Sequence, residues 1–173
     1  MNILFIGMPG AGKSTLSYLL SHKLKKSLVE IDDIIKNDLG MQLQEYIDLY
    51  GNEKFKEREG EIILSILKNT KNSVISPPGS IIYYPKVMNY LKNNKDYLII
   101  YLECSLMNIL SRTNNFENRG VVIDIKKKDP FISLYHERIP CYEYLYNLKY
   151  NNTDKNISDT LKDIENMIDN IVK

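Results

Sequence analysis

The stretch Gly7-Met8-Pro9-Gly10-Ala11-Gly12-Lys13-Ser14-Thr15 constrains this chain more than any other part of it. It fits the phosphate-loop spacing G-x-x-x-x-G-K-[ST], which works only between a buried strand and a helix. Both are predicted. Residues 2–6 (Asn-Ile-Leu-Phe-Ile) form a short apolar run suited to a parallel strand covered on both faces, and Leu16, Leu19, Leu20 and Leu24 recur at helical spacing. Glycines let the backbone curl until successive N–H groups point inward at the positive end of the following helix, where phosphate oxygens are favoured. Gly10, Ala11, Gly12, Lys13, Ser14 and Thr15 are therefore expected to bind ATP, with Lys13 reaching the β- and γ-phosphates and the Ser14 hydroxyl completing a Mg²⁺ site.

Length and charge narrow the partners. A chain of 173 residues is one domain, 1–173, and its 23 basic and 22 acidic residues leave a net charge of +1. That balance gives no electrostatic reason to expect nucleic acid or a membrane surface, so the expected partners are ATP and a small-molecule acceptor, with the protein a monomer. No apolar stretch approaches membrane-spanning length and the apolar start is too short for a signal peptide core, so a cytoplasmic location is expected. Cys104 and Cys141 have no metal-ligand spacing and read as reduced, structural thiols. The one run of like charge, Lys126-Lys127-Lys128, reads as a solvated loop.

Strands and helices alternate through the rest of the chain. Strands are predicted at 27–31, 73–76, 97–103 and, at an edge, 148–151; helices at 39–50, 55–67, 86–93, 106–113, 129–146 with a break near Pro140, and 157–171 with Ser158 near its start. Residues 114–128 are polar and without period, long for a structureless connection, and read as a mobile lid carrying Arg119. The expected fold is α/β: a three-layer phosphate-loop kinase fold with a central, mostly parallel sheet of about five strands.

A phosphate loop does not by itself separate kinases, ATPases and GTP switches. Asp48-Leu49-Tyr50-Gly51 has the D-x-x-G spacing of a GTP switch but falls at the end of an amphipathic helix, and no N-K-x-D motif is present. In order from Asn2 to about Lys155, the residues resemble the shikimate kinase family. Its first D-x-D falls on Glu30-Ile31-Asp32, its G-E-x-x-F-R-x-x-E helix on residues 51–59, its glycine triplet on Pro78-Gly79-Ser80, and its late E-R-x-P-x-Y segment on Glu137-Arg138-Ile139-Pro140-Cys141-Tyr142.

The resemblance implies a role for each matched residue. Glu30 would hold Mg²⁺ and Asp32 would touch the acceptor hydroxyl. Lys56 and Arg138 would clamp the shikimate carboxylate beside Gly79, Arg112 and Lys155 would lie near adenine, and the lid arginine, Arg119, would close over the transferring phosphate. It also implies a step of aromatic amino acid biosynthesis. Physical readings stand beside these roles. Asp32 could orient or deprotonate a hydroxyl or serve as a helix N-cap. Arg112 could lie flat on adenine or cap its own helix, and Arg138 could fork a carboxylate or pair with Glu137 or Glu143.

The chain departs from the family on the acceptor side. A lysine, Lys56, stands where the first clamping arginine belongs, and Arg58, two residues and about 200° around the helix, cannot simply replace it. Pro78 and Ser80 alter the glycine triplet, and the lid reads Arg119-Gly120 where an arginine and proline are usual. The expected function is ATP-dependent phosphorylation of a hydroxyl on a small carboxylate-bearing metabolite, with shikimate first. The alternatives are another hydroxy acid such as homoserine or gluconate, a nucleoside monophosphate, or a nucleotide-binding regulatory module, against which Asp32 and Arg119 together argue.

Overall fold

The computed structural model describes residues 1–112 and 129–172; the stretch 114–128 predicted to be a lid, with Arg119 and the lysine run, lies outside the described residues. Strand β1 (Asn2–Ile6) is buried at all five positions and pairs in parallel with β3 (Ser73–Ser76) on one side and β4 (Tyr97–Glu103) on the other. Strand β2 (Ser27–Glu30) extends the sheet beyond β3 and β5 (Leu148–Asn151) extends it beyond β4, giving the all-parallel order β2-β3-β1-β4-β5. Apolar runs such as Ile3 to Ile6 and Leu98 to Leu102 form this centre because each is covered from both faces.

The direction of each crossover sets its face. The chain runs from β1 past β3 to β2 through α1 (Lys13–Leu24), then moves the opposite way through α2 (Ile31–Leu39), α3 (Leu43–Tyr50), α4 (Asn52–Asn69), α5 (Pro85–Asn93), α6 (Leu106–Arg112) and α7 (Pro130–Leu145). Right-handed crossovers in opposite directions land on opposite faces. Accordingly α1 meets α8 (Ile157–Val172) on one side, while α5 touches α4 and α7 on the other. Between β1 and β3 the strand order reverses, and that is where open α/β sheets place ligands, beyond the carboxyl ends of the strands. The phosphate loop follows β1, and the altered glycine triplet follows β3 as the start of a single 3₁₀ turn, Gly79–Tyr83. No described helix is long and apolar enough to cross a membrane.

Four local expectations differ from the fold. The strand predicted at 27–31 ends at Glu30, and the helix predicted at 39–50 starts only at Leu43: Leu39 ends α2, which was not predicted and which Gly40 closes by taking a left-handed conformation (φ 68°) with its N–H donating to the Lys36 carbonyl. Pro140 does not interrupt α7: the proline removes one N–H, while Leu134, Tyr142 and Leu145 keep the helix seated in the core. Helix α8 is capped by Asn156, whose side-chain oxygen accepts from the Asp159 N–H at 2.9 Å, and not by Ser158; Ile157 and Ile171 at its ends are exposed while Ile164 and Ile168 are buried.

Tyr101, in the middle of the sheet, is fully buried and stacks on Tyr142 with ring centroids 5.5 Å apart, yet its hydroxyl has no partner among the described residues. A buried unpaired hydroxyl is a cost that phenylalanine avoids at nearly the same shape. Tyr101→Phe is expected to leave stability unchanged or raise it by up to about 1 kcal/mol in urea denaturation; a loss of about 1 kcal/mol or more would show that the hydroxyl has a partner.

Candidate active site

The phosphate loop keeps its shape through close backbone approach. Gly7 lies at φ 144°, and a Cβ there would sit 2.7 Å from the Leu102 carbonyl oxygen of β4, so only glycine lets the chain turn off the sheet at this point. Gly10 and Gly12 are also left-handed, at φ 84° and 98°, and Gly12 is the N-cap of α1. Lys13 is buried, and its ammonium donates to the carbonyls of Gly7 (2.9 Å) and Met8 (3.1 Å), which holds the charge against the loop it follows. Ala11, Ser14 and Thr15 surround it, the last two exposed on the first turn of α1.

Oxygen donors converge beside the loop. Ser14 Oγ lies 3.2 Å from Ser76 Oγ at the end of β3, and Glu30 ends the neighbouring strand. Burial raises the Glu30 carboxyl above its ordinary range, opposed by hydrogen bonds from Ser76 and Ser14. A hydroxyl and a carboxylate, all oxygen, suit Mg²⁺, which takes few protein ligands and completes its shell with phosphates and water. Asp32 is the second residue of α2 and is half-buried; burial raises its carboxyl while the positive charges of Lys13 and Lys36 pull it down. The cap position of α2 belongs to Glu30, so Asp32 is not the N-cap.

Gly79 is where three elements meet. A Cβ on it would lie 2.7 Å from an Arg138 terminal nitrogen, 3.3 Å from Pro9 of the phosphate loop and 3.3 Å from the Tyr142 hydroxyl, which itself donates to the Gly79 carbonyl at 2.9 Å. Arg138, on α7, is 3% exposed. Its Nε donates to the Tyr83 hydroxyl at 3.1 Å and its guanidinium lies over the Tyr83 ring, 5.1 Å from the centroid. The surface ion pairs considered for it do not form: Glu137 accepts from the Tyr83 hydroxyl at 2.7 Å, and Glu143 pairs with Lys149 at 2.6 Å. Among the described residues no carboxylate comes within 4 Å of this buried guanidinium. A buried charge in that state is expensive unless an anion arrives to meet it.

Lys56 and Arg58 take different parts. Arg58 is committed to Asp38 (2.7 Å) and Glu61 (3.7 Å). Lys56 pairs with exposed Glu53 at 3.2 Å and lines a cleft of about 420 Å³ whose wall includes Tyr83, the residue that holds Arg138. Arg112 neither caps its own helix nor lies free: it donates to the Asn152 carbonyl at 3.0 Å. Lys155 is exposed and makes no hydrogen bond or ion pair among the described residues, and Arg119 lies outside them.

Three residues of the site were given no role in the sequence reading, although Glu59 closes the matched G-E-x-x-F-R-x-x-E segment. Glu59, 3% exposed, accepts from Ser80 Oγ at 3.0 and 3.1 Å and from the Tyr84 hydroxyl; Tyr83 and Tyr84 form the wall next to it. Tyr84 can lie across α4 only because residue 60 is glycine, where a Cβ would sit 2.7 Å from its ring. A usable signal existed: Glu59 stands on the apolar stripe of Phe55, Ile62 and Ile63, where an acid needs a reason to be.

Residues 9–171 match the sequence model of the family described as Shikimate kinase. The chain belongs to the shikimate kinase family. A shikimate kinase of Francisella tularensis subsp. novicida is 33% identical over 141 residues, covering 82% of this chain and 79% of that protein. One from Dehalococcoides mccartyi is 29% identical over 167 residues, covering 96% and 93%. The solved structure of shikimate kinase from Acinetobacter baumannii in complex with shikimate matches with a TM-score of 0.84 at 23% identity, covering 96% of this chain and 92% of that one, which establishes the shared fold. As a shikimate kinase family member the protein is an ATP-dependent phosphotransferase acting on an alcohol.

Burial is the largest influence on Glu59 and lifts its carboxyl to about 7, against the hydrogen bonds from Tyr84 and Ser80. A carboxyl raised on folding binds more protons folded than unfolded, so its contribution to stability is present below about pH 4.5 and is lost as pH climbs to about 7. Glu59→Gln should flatten this part of the profile, shrinking the drop in unfolding free energy between pH 4.5 and 7.5 by on the order of 2 kcal/mol. Urea denaturation of both proteins at the two pH values measures it, and equal drops would mean the carboxyl is ionised throughout.

Proposed function

We propose that the protein transfers the γ-phosphoryl group of ATP to a hydroxyl of shikimate, as a cytoplasmic monomer in aromatic amino acid biosynthesis. The observation that carries the acceptor assignment is Arg138: a nearly fully buried guanidinium, beside Gly79 and one residue contact from the phosphate loop, with no carboxylate within 4 Å among the described residues. A planar fork recognises a carboxylate in two parallel hydrogen bonds, and Lys56 across the Tyr83 wall supplies a second, single-point anchor. The acceptor is thus a small acid held by its carboxylate, with its reacting hydroxyl turned toward Asp32.

In the transfer, the acceptor oxygen forms a bond to the γ-phosphorus as the bond from that phosphorus to the ADP oxygen breaks, and the hydroxyl proton passes to Asp32. Burial raises Asp32, which suits a group that must accept a proton near neutral pH. Loop N–H groups and Lys13 hold the donor's phosphates. Ser14 and Glu30 would hold Mg²⁺, which supplies neutralisation of phosphate charge. Arg119 is assigned to the transferring phosphoryl group from its place in the sequence alone, and Arg112 and Lys155 to the adenine side.

The specificity constants for shikimate, homoserine, gluconate and nucleoside monophosphates on one preparation test the acceptor, with shikimate expected at least about tenfold ahead of each. Arg138→Lys should lower the value for shikimate by roughly a hundredfold, about 3 kcal/mol, and change the KM for ATP little. Turnover of a different acid in place of shikimate would keep the mechanism and reject the acceptor. An unchanged Arg138→Lys variant would reject the clamp.

A further inference from the structure

Asn152 belongs to no motif, yet it is the point at which three parts of the nucleotide side are tied together. It follows β5 and is 4% exposed. Its N–H donates to the Glu103 carbonyl at the end of β4 (2.8 Å), and its own carbonyl accepts from Arg112 (3.0 Å). Its side-chain amide donates to the Ala11 carbonyl of the phosphate loop at 2.8 Å, across 141 residues of sequence. The opposite end of that amide accepts from the Thr160 hydroxyl of α8 at 2.8 Å. The orientation is forced, since the Ala11 carbonyl can only accept and so must face the amide nitrogen.

This contact fixes more than a carbonyl. The Ala11–Gly12 peptide is trans, as are all the described peptides, so its C=O and N–H point in opposite directions. With the Ala11 oxygen held by Asn152, the Gly12 N–H is turned away from α8, and it has no hydrogen-bond acceptor among the described residues. Gly12 takes the left-handed φ of 98° that this orientation accompanies, and a Cβ there would sit 3.4 Å from the Asn152 amide nitrogen. We propose that Asn152 is a positioning residue for the nucleotide: its amide, oriented by Thr160, sets the Ala11–Gly12 peptide so that the Gly12 N–H is presented to the donor's phosphates before they arrive.

The inference rests on the reading of this loop as the phosphate site, and the test separates the two. ADP and adenosine share a base and a sugar but differ in phosphates, so their dissociation constants in Mg²⁺ buffer, by calorimetry and ligand-observed NMR, isolate the loop. The parent protein should bind ADP at least about a hundredfold more tightly than adenosine; no preference would reject the loop as the phosphate site. Asn152→Ala, which adds no charge to repel phosphate, should weaken ADP at least about tenfold and adenosine less than about twofold, with the KM for the acceptor unmoved. Thr160→Val frees the amide to turn without removing it and should weaken ADP by about threefold, which keeps the proposal testable if Asn152→Ala does not fold. An equal loss for both ligands, or no loss for ADP in either variant, would overturn the positioning role.

Discussion

A guanidinium buried to 3% exposure, with no carboxylate within 4 Å among the described residues, sets the terms for the acceptor half of this fold. Taking such a charge out of water costs several kcal/mol, and the protein offsets only part of that with a tyrosine hydroxyl and the face of a tyrosine ring. The neighbours follow from the need to reach it. Residue 79 must be glycine because Arg138 and the phosphate loop both come within van der Waals distance of where a side chain would start. Glu59 accepts from Ser80 and Tyr84 and does not pair directly with Arg138, and burial lifts its carboxyl to about 7.

The nucleotide half solves a different problem, which is to hold backbone dipoles in an orientation they would not keep alone. The loop is pinned at its start by the approach of Gly7 to β4 and near its end by Asn152, while Lys13 ties its own carbonyls together. Because β1 and β3 flank the point where the strand order reverses, the two halves meet at Pro9 and Gly79, where a Cβ on residue 79 would lie 3.3 Å from Pro9. Phosphoryl transfer needs that meeting, since catalysis here is mostly alignment of two bound molecules.

What was legible in the sequence was what short-range patterns encode. The strand, glycine turn and helix around Lys13 were readable because their chemistry is contiguous, and the central strands β1, β3 and β4 because their apolar runs are covered on both faces. Asp32 and Arg138 were readable as candidates from the segments that resemble the shikimate kinase family. Their competing readings, a cap and a surface ion pair, needed the structure to remove them, since both turn on which residue faces which. Tyr83, Tyr84 and Asn152 were not readable as site residues: each acts through a contact that the fold makes between distant segments, and tyrosine and asparagine are common in this chain. The start of α3 was placed at Leu39 because that residue lies at helical spacing from Leu43, while the backbone turns between them at Gly40.

The central claim is that Arg138 receives the acceptor's carboxylate while Asp32 faces its hydroxyl. A crystal structure of the protein with ADP, Mg²⁺ and shikimate measures this directly. The account predicts the carboxylate within hydrogen-bond distance of the Arg138 terminal nitrogens, Lys56 on its outer side, and a ring hydroxyl between Asp32 and the phosphate loop. Shikimate bound with its carboxylate against any other cation, or with no hydroxyl near Asp32, would contradict it.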